Sequence, residues 1–185
     1  MTDGGGCAWP LAGGARLRLL EGGDAEELHR LIVANREHLA AWMPWAAGQG
    51  EVETRAFLAR ARQQLRANDG FQAALLVDGR IAGIAGYHGV DWVNRTTSLG
   101  YWLAADREGQ GTMTAAVAAL ARHALDGWGL NRIELRAGVE NRRSRALAER
   151  LGFREEATMR RAERVGARSL DLVVYSLIGG LDKGP

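Results

Sequence analysis

The sequence has little to staple it together or to anchor it elsewhere. Cys7 is the only cysteine among 185 residues, so no intramolecular disulfide can form, which suits a reducing compartment. No run of 18 apolar residues occurs, and residues 1–14 lack the basic start and apolar stretch of a secretory signal, so a cytoplasmic protein is expected. Internal repeats and interdomain linkers are absent as well, and the length suits one domain with a core of its own. The four histidines (His29, His38, His88 and His123) show no metal-binding spacing, and no metal is expected. A net charge of +2 is too small to announce a nucleic-acid binder.

Lysine is nearly missing too. Lys183 stands alone, so positive charge is carried by arginine, and unevenly. Between Asn141 and Leu170 lie nine arginines (142, 143, 145, 150, 154, 160, 161, 164 and 168) against four glutamates (149, 155, 156 and 163). Such an excess suits a polyphosphate cofactor, an acidic protein substrate or RNA, and equally a solvated face.

Periodicity divides the chain. Residues 1–14 are glycine-rich and without period, as expected of a flexible leader, and the last four or five residues read the same way. Residues 17–20 read as a short strand. Asp24 with Glu27 makes a capping box for a helix carrying Leu28, Leu31, Ile32 and Leu39 on one side. A second helix is expected over 52–67, with Phe57, Ala61 and Leu65 on one stripe, ending at Asn68-Asp69-Gly70. The period then changes to two. Strands at 71–77 and 80–88 flank Asp78-Gly79, the signal for a hairpin with a type I′ turn. A strand at 96–103, a glycine-rich loop and a helix bearing Val117, Leu120, Ala121, Ala124 and Leu125 follow. Next come a strand at 132–139, a helix over 142–151 closed by Gly152, and a last strand at 170–178. The order β-α-α-β-β-β-α-β-α-β makes an α/β fold, a mixed sheet with helices on both faces, in one domain over 15–180.

Chemistry concentrates where the 96–103 strand gives way to a helix. In Glu108-Gly109-Gln110-Gly111-Thr112-Met113-Thr114, two glycines let main-chain N–H groups approach an anion, and the helix adds unpaired donors and its positive dipole end. This is the physical logic of a pyrophosphate cradle. The stretch completes neither the dinucleotide Gly-x-Gly-x-x-Gly, since Thr114 holds the third place, nor a P-loop.

In context, the strand, this loop and helix, the 132–139 strand, Asn141-Arg142-Arg143-Ser144 and Leu151-Gly152-Phe153 resemble the acetyl-CoA-binding half of the GNAT acyltransferase superfamily. Leu99-Gly100-Tyr101-Trp102-Leu103 leading into the loop, and Leu39-Ala40-Ala41-Trp42-Met43-Pro44-Trp45, resemble its RimL/RimJ group, which acetylates protein N-termini, notably of ribosomal proteins. The resemblance covers about 15–178 and implies a mostly antiparallel central sheet, acetyl-CoA as co-substrate and possible dimerisation. It departs at Glu108, where Gln or Arg is usual; a carboxylate there is expected to point away from the pyrophosphate.

The resemblance also implies roles. Main-chain donors over Gly109–Thr114 (Gly109, Gln110, Gly111, Thr112, Met113 and Thr114) would hold the pyrophosphate. Main-chain groups near Trp102 and Leu103 would pair with the pantetheine arm and steady the oxyanion. Asn141 would cap its helix or bond the pantetheine. Ser144, one turn further along the same face, would protonate the departing thiolate. Glu163 would activate the amine. A carboxylate suffices for an α-amine of pKa near 8, about a tenth neutral at pH 7, and is harder pressed by a lysine of pKa about 10.4. Trp42 and Trp45 would wall the acceptor groove, with His88 a reserve base. Plain packing accounts equally for the tryptophans and for Tyr175, and ordinary capping for Asn141 and Ser144. Beside N-terminal acetylation stand acylation of a small-molecule amine such as an antibiotic, with acetyl or succinyl, and a non-catalytic acyl-CoA-sensing module.

Overall fold

A computed structural model describes residues 8–179. Eight strands form one sheet in the order β1-β2-β3-β4-β5-β6-β8-β7. They are β1 (Ala8–Pro10), β2 (Arg16–Leu19), β3 (Gln72–Val77), β4 (Arg80–Asp91), β5 (Thr96–Leu103), β6 (Arg132–Gly138), β7 (Arg154–Val165) and β8 (Arg168–Ile178). Every neighbouring pair is antiparallel except β5 with β6. Helices α1 (Ala25–Ala34), α2 (Arg36–Ala40) and α3 (Glu51–Arg66) supply the apolar cluster on one face, with Leu28, Ile32, Leu39 and Leu58 against Ala74, Leu76, Ile84 and Trp102. Helices α4 (Thr112–Arg122) and α5 (Arg142–Arg150) cover the other, with Met113, Val117, Leu120 and Leu147 against Leu17, Leu75, Tyr87, Leu135 and Tyr175. Period-two alternation thus feeds two cores, odd residues of β5 to one and Trp102 to the other.

Local signals account for much of this. Asp78 and Gly79 both have positive φ (52° and 77°), as a type I′ hairpin requires, and Gly152 closes α5 at φ 83°. Among the described residues no helix is long and apolar enough to cross a membrane.

The structure corrects the sequence reading in four places. The expected leader 1–14 is ordered from Ala8: β1 pairs with β2, and Trp9 stacks on Phe71 with ring centroids 5.1 Å apart, while residues 1–7 lie outside the described residues. The Asp24–Glu27 capping box does not form. Asp24 turns back to accept from Arg18 (2.7 Å) and from the Glu21 N–H, and Glu27 accepts from Arg80 and from the Ile81 N–H. The first helix breaks at Asn35, whose φ of −113° lies between α1 and α2. Residues 154–165, assigned no element from sequence, form the long edge strand β7. Exposed from Arg154 to Ala162, it offers no apolar alternation to read.

Trp9, Phe71, Tyr87, Trp92, His123 and Trp128 form one aromatic cluster. Within it the buried Tyr87 hydroxyl donates to the Leu120 carbonyl at 2.8 Å, fastening β4 to α4. Tyr87→Phe should lower unfolding stability by about 1 kcal/mol, the usual net worth of one such bond. Urea unfolding checks this as a lower midpoint at unchanged slope; an unaltered midpoint would show the bond to be idle.

Candidate active site

β5 and β6 begin as a parallel pair and then separate. Register runs from Thr96 opposite Arg132 to Leu99 opposite Leu135 and stops there, four residues short of the end of β5. Level with that point β4 carries a bulge, its register with β5 shifting between Tyr87 and Val90. A bulge sharpens local twist and so swings the following part of a strand away from its neighbour. Alternate residues of a strand direct their main-chain groups to opposite sides, and the Ala104 N–H donates to Ala82 on β4. The main-chain groups of Tyr101 and Leu103 therefore face the gap. Those of Trp102 do not: its carbonyl lies so close to Gly83 that a Cβ there would stand 2.2 Å away. The expectation naming Trp102 and Leu103 thus moves by one residue, to Tyr101 and Leu103, and the Trp102 side chain belongs to the α1–α3 core.

The gap opens into a cavity of about 1620 Å³. At one end stand the loop and the start of α4. Gly109 (φ 77°) and Gly111 (φ 76°) both adopt the left-handed conformation, and a Cβ on either would meet nothing within 4 Å. No side chain caps α4, so its first N–H groups remain available to an anion. Gly109, Gly111, Thr112, Met113 and Thr114 line the cavity; Gln110 is not part of its wall, and its amide reaches back toward the Asp106 carbonyl. Met113 packs into the core, which leaves only its main chain to serve a ligand.

Glu108 does not point away. It lines the cavity and forms an ion pair with Arg143 at the start of α5, with His38 Nε2 3.4 Å from its other oxygen. Arginine neutralises the carboxylate that alone would repel a phosphate. Arg150 also crosses from α5 to donate to the Thr114 hydroxyl at 3.2 Å.

Around the gap the side chains converge. Asn141 caps α5, its Oδ1 accepting from the Ser144 N–H at 3.1 Å. The Ser144 hydroxyl lies 2.7 Å from that of Tyr101, a partner the sequence reading passed over although it stands in the quoted Leu99–Leu103 stretch. Burial pushes the Tyr101 pKa up to about 12, against the opposing Ser144 hydrogen bond, so the phenol stays protonated at neutral pH. Tyr101 can then donate to Ser144 and leave the serine proton free. Tyr175 takes no part: buried, it accepts from Arg145 and donates to Glu149, pinning α5 to β8.

Beyond the gap, Glu163 lines the cavity from the far end of β7, half-buried, and burial raises its pKa. It is held there by the β7–β8 hairpin, whose Arg168 donates to the Ala41 carbonyl at the end of α2 (2.9 Å). Trp42 packs on Gly138, where a Cβ would stand 3.3 Å from its ring, and Trp45 lies 6.2 Å from Trp102, centroid to centroid. Both tryptophans line the cavity. His88 lies across Gly100: a Cβ at Gly100 would fall 2.2 Å from Nε2. The surrounding protein, and then Arg136, lower its pKa. The structure thus gathers Ser144, Asn141, Glu163, Trp42, Trp45 and His88 around one cavity, together with Tyr101, Arg143 and His38, which spacing alone could not assign to it.

Comparison with known proteins agrees with this geometry. Residues 15–154 match the family model described as an acetyltransferase (GNAT) domain. The chain is 39% identical over 164 residues, 88% of its length and 90% of the relative's, to YdaF of Bacillus subtilis (strain 168), provisionally named a ribosomal N-acetyltransferase. Among solved structures, RimL, a ribosomal L7/L12 α-N-protein acetyltransferase in complex with coenzyme A, superposes with a TM-score of 0.90 at 24% identity, covering 95% of this chain and 100% of that one. The microcin C7 self-immunity acetyltransferase MccE, in complex with acetyl-CoA and AMP, gives 0.84 at 27% identity, covering 89% and 92%. The chain belongs to the GNAT family of acetyltransferases, enzymes that use acetyl-CoA as the acyl donor.

Proposed function

We propose that this protein acetylates the α-amine of a protein N-terminus, a ribosomal protein first among candidates, in the cytoplasm. What carries the reading is one continuous cavity that runs from the uncapped start of α4, through the gap between β5 and β6, to the half-buried carboxylate of Glu163. The relative at 39% identity is named for ribosomal acetylation. The same end of the cavity suits a small amine as well, and MccE, crystallised with AMP, favours that as the second reading.

The residues divide the work in a ternary complex, with no covalent enzyme intermediate. Main-chain donors at Gly109–Thr114 bind the pyrophosphate, with the helix dipole behind them. The open main-chain groups of Tyr101 and Leu103 pair with the pantetheine amides and meet the oxyanion as the amine adds to the thioester carbonyl. Glu163 takes the proton of the α-ammonium, and its raised pKa makes it the stronger base. As the carbon–sulfur bond breaks, the Ser144 hydroxyl protonates the sulfur, held in line by Tyr101.

Gly111→Val should weaken acetyl-CoA binding at least tenfold, because its side chain would enter the cavity and a β-branched residue resists positive φ. Calorimetry on folded protein checks this, and unchanged affinity removes the cradle from the proposal.

Ser144→Ala should lower kcat by roughly 10²-fold with acetyl-CoA affinity little altered, and Tyr101→Phe by a smaller factor of about ten. Should either variant alter only the affinity for coenzyme A, that residue belongs to binding rather than to proton transfer.

The pH dependence follows from Glu163. A raised pKa means that wild-type kcat/KM falls on the acid side as pH drops through a value above the ordinary glutamate range of about 4.3. Glu163→Gln should cost about 10²-fold at pH 7 and leave a residual rate that climbs with pH to a plateau near 8 for a peptide N-terminus, or near 10 for a lysine side chain. A glutamine variant with the wild-type rate and profile would sink the assignment.

A further inference from the structure

The acceptor half of the cavity carries a charge pattern that the reaction does not need. Away from the pyrophosphate loop and α5, its wall holds two guanidinium groups, Arg60 of α3 and Arg136 of β6, with the carboxylates Glu163 and, just beyond the end of β6, Glu140. Arg60 makes no ion pair among the described residues. Arg136 has a single partner, Glu134 at 3.3 Å, and is 52% exposed. Both share the cavity wall with His88: Arg136 acts electrostatically on the imidazole, and Gln64, one turn beyond Arg60 on α3, donates to the neighbouring Tyr87 carbonyl at 2.7 Å. Outside the cavity Arg160 and Arg161, also without an ion-pair partner among the described residues, are exposed on β7 beside the Ala162 and Glu163 of the wall. Of the arginines between Asn141 and Leu170, Arg160 and Arg161 are the two that stand next to the Glu163 end of the wall without such a partner.

We propose that the acceptor is the N-terminus of a protein segment with acidic side chains in its second to fourth positions, its amine at Glu163 and its carboxylates on Arg60 and Arg136, with Arg160 and Arg161 at the entrance. The inference rests on the reading of the site as an N-terminal acetyltransferase and adds the charge of the substrate. Register sets the scale. Arg136 pairs with Val174 on β8, and Glu163 pairs with Leu170. Two strand spacings of about 4.8 Å and four residues of about 3.3 Å separate their Cα atoms by roughly 16 Å. An extended peptide rising about 3.4 Å per residue from Glu163 covers much of that span in three residues, and the arginine side chain covers the remainder. An isolated ammonium at Glu163 would gain nothing from guanidinium groups nearby, which repel it; a flanking carboxylate turns them to advantage. RNA, the other ligand that arginines attract, has no aliphatic amine to present and would set phosphates against Glu163.

The test compares three synthetic peptides that share an N-terminal serine and differ at positions two to four: Glu-Asp-Glu, Gln-Asn-Gln and Lys-Arg-Lys. Thiol release with acetyl-CoA gives kcat/KM for each. The acidic peptide should exceed the neutral one by at least tenfold at low salt, with the margin narrowing toward 0.5 M salt as screening sets in. Arg60→Glu and Arg136→Glu should each collapse the acidic-over-neutral ratio and favour the basic peptide, and Arg60→Gln and Arg136→Gln should shift it part of the way. A general folding defect lowers all three rates together and leaves the ratio intact. Equal kcat/KM on all three peptides, or an acidic preference that survives both reversals, overturns the inference while leaving N-terminal acetylation standing. No turnover with any peptide, beside turnover of a small amine, removes both. If the reversals weaken binding of a single-stranded RNA oligomer and leave the peptide ratio unchanged, the arginines serve RNA and the inference fails.

Discussion

The separation of β5 from β6 after Leu99 and Leu135 is the constraint on which the site depends. A sheet normally satisfies its main-chain groups across every strand pair, and leaving them open inside a protein is costly unless something else pairs with them. Here the opening is fixed from both sides. The bulge in β4 turns β5 with it, and β6 stays in register with β8 from Arg132 to Gly138. Closing the gap would mean breaking one of those ladders. The unmet main-chain groups of Tyr101 and Leu103 face this gap, and the same gap joins the two ends of the cavity.

The electrostatics of the two ends differ. The cofactor end combines main-chain donors with arginines, and its one misplaced charge, Glu108, is countered by Arg143 and approached by His38. At the other end Glu163 stands half-buried with a raised pKa, held by a hairpin that reaches back to α2. Between them lies the Tyr101–Ser144 pair, its hydroxyls 2.7 Å apart and the phenol protonated at physiological pH.

Packing around the site is unusually dependent on side chains lying over glycine. His88 crosses Gly100 and Trp42 covers Gly138. Each glycine stands on the strand segment where β5 or β6 borders the gap. Even one added methyl group at Gly100 would displace the imidazole, so these strands admit the aromatic rings only because the backbone beneath them is bare.

The sequence by itself determined most of the elements, since their signals are local. The Asp78-Gly79 turn, the apolar stripe of α4, the Asn141 cap and the Gly152 stop depend on neighbours a few residues away. Its glycine loop and quoted motifs also indicated the cofactor, and they singled out Ser144 and Glu163, which the fold places on the wall of one cavity. Tertiary structure alone decided the rest. Trp9 joins the sheet because Phe71 lies beneath it, 62 residues along the chain, so a glycine-rich start conceals a strand. Strand β7 is held by its ladder to β8 and buries almost nothing, leaving no hydrophobic period to read. Glu108 turned inward because Arg143 and His38 arrive there from two other elements, and Tyr101 gained its role from a hydroxyl on α5. Local patterns record the bonds a residue makes within a turn or two. The pairing of charges and rings brought together from distant elements exists only once the chain has closed on itself.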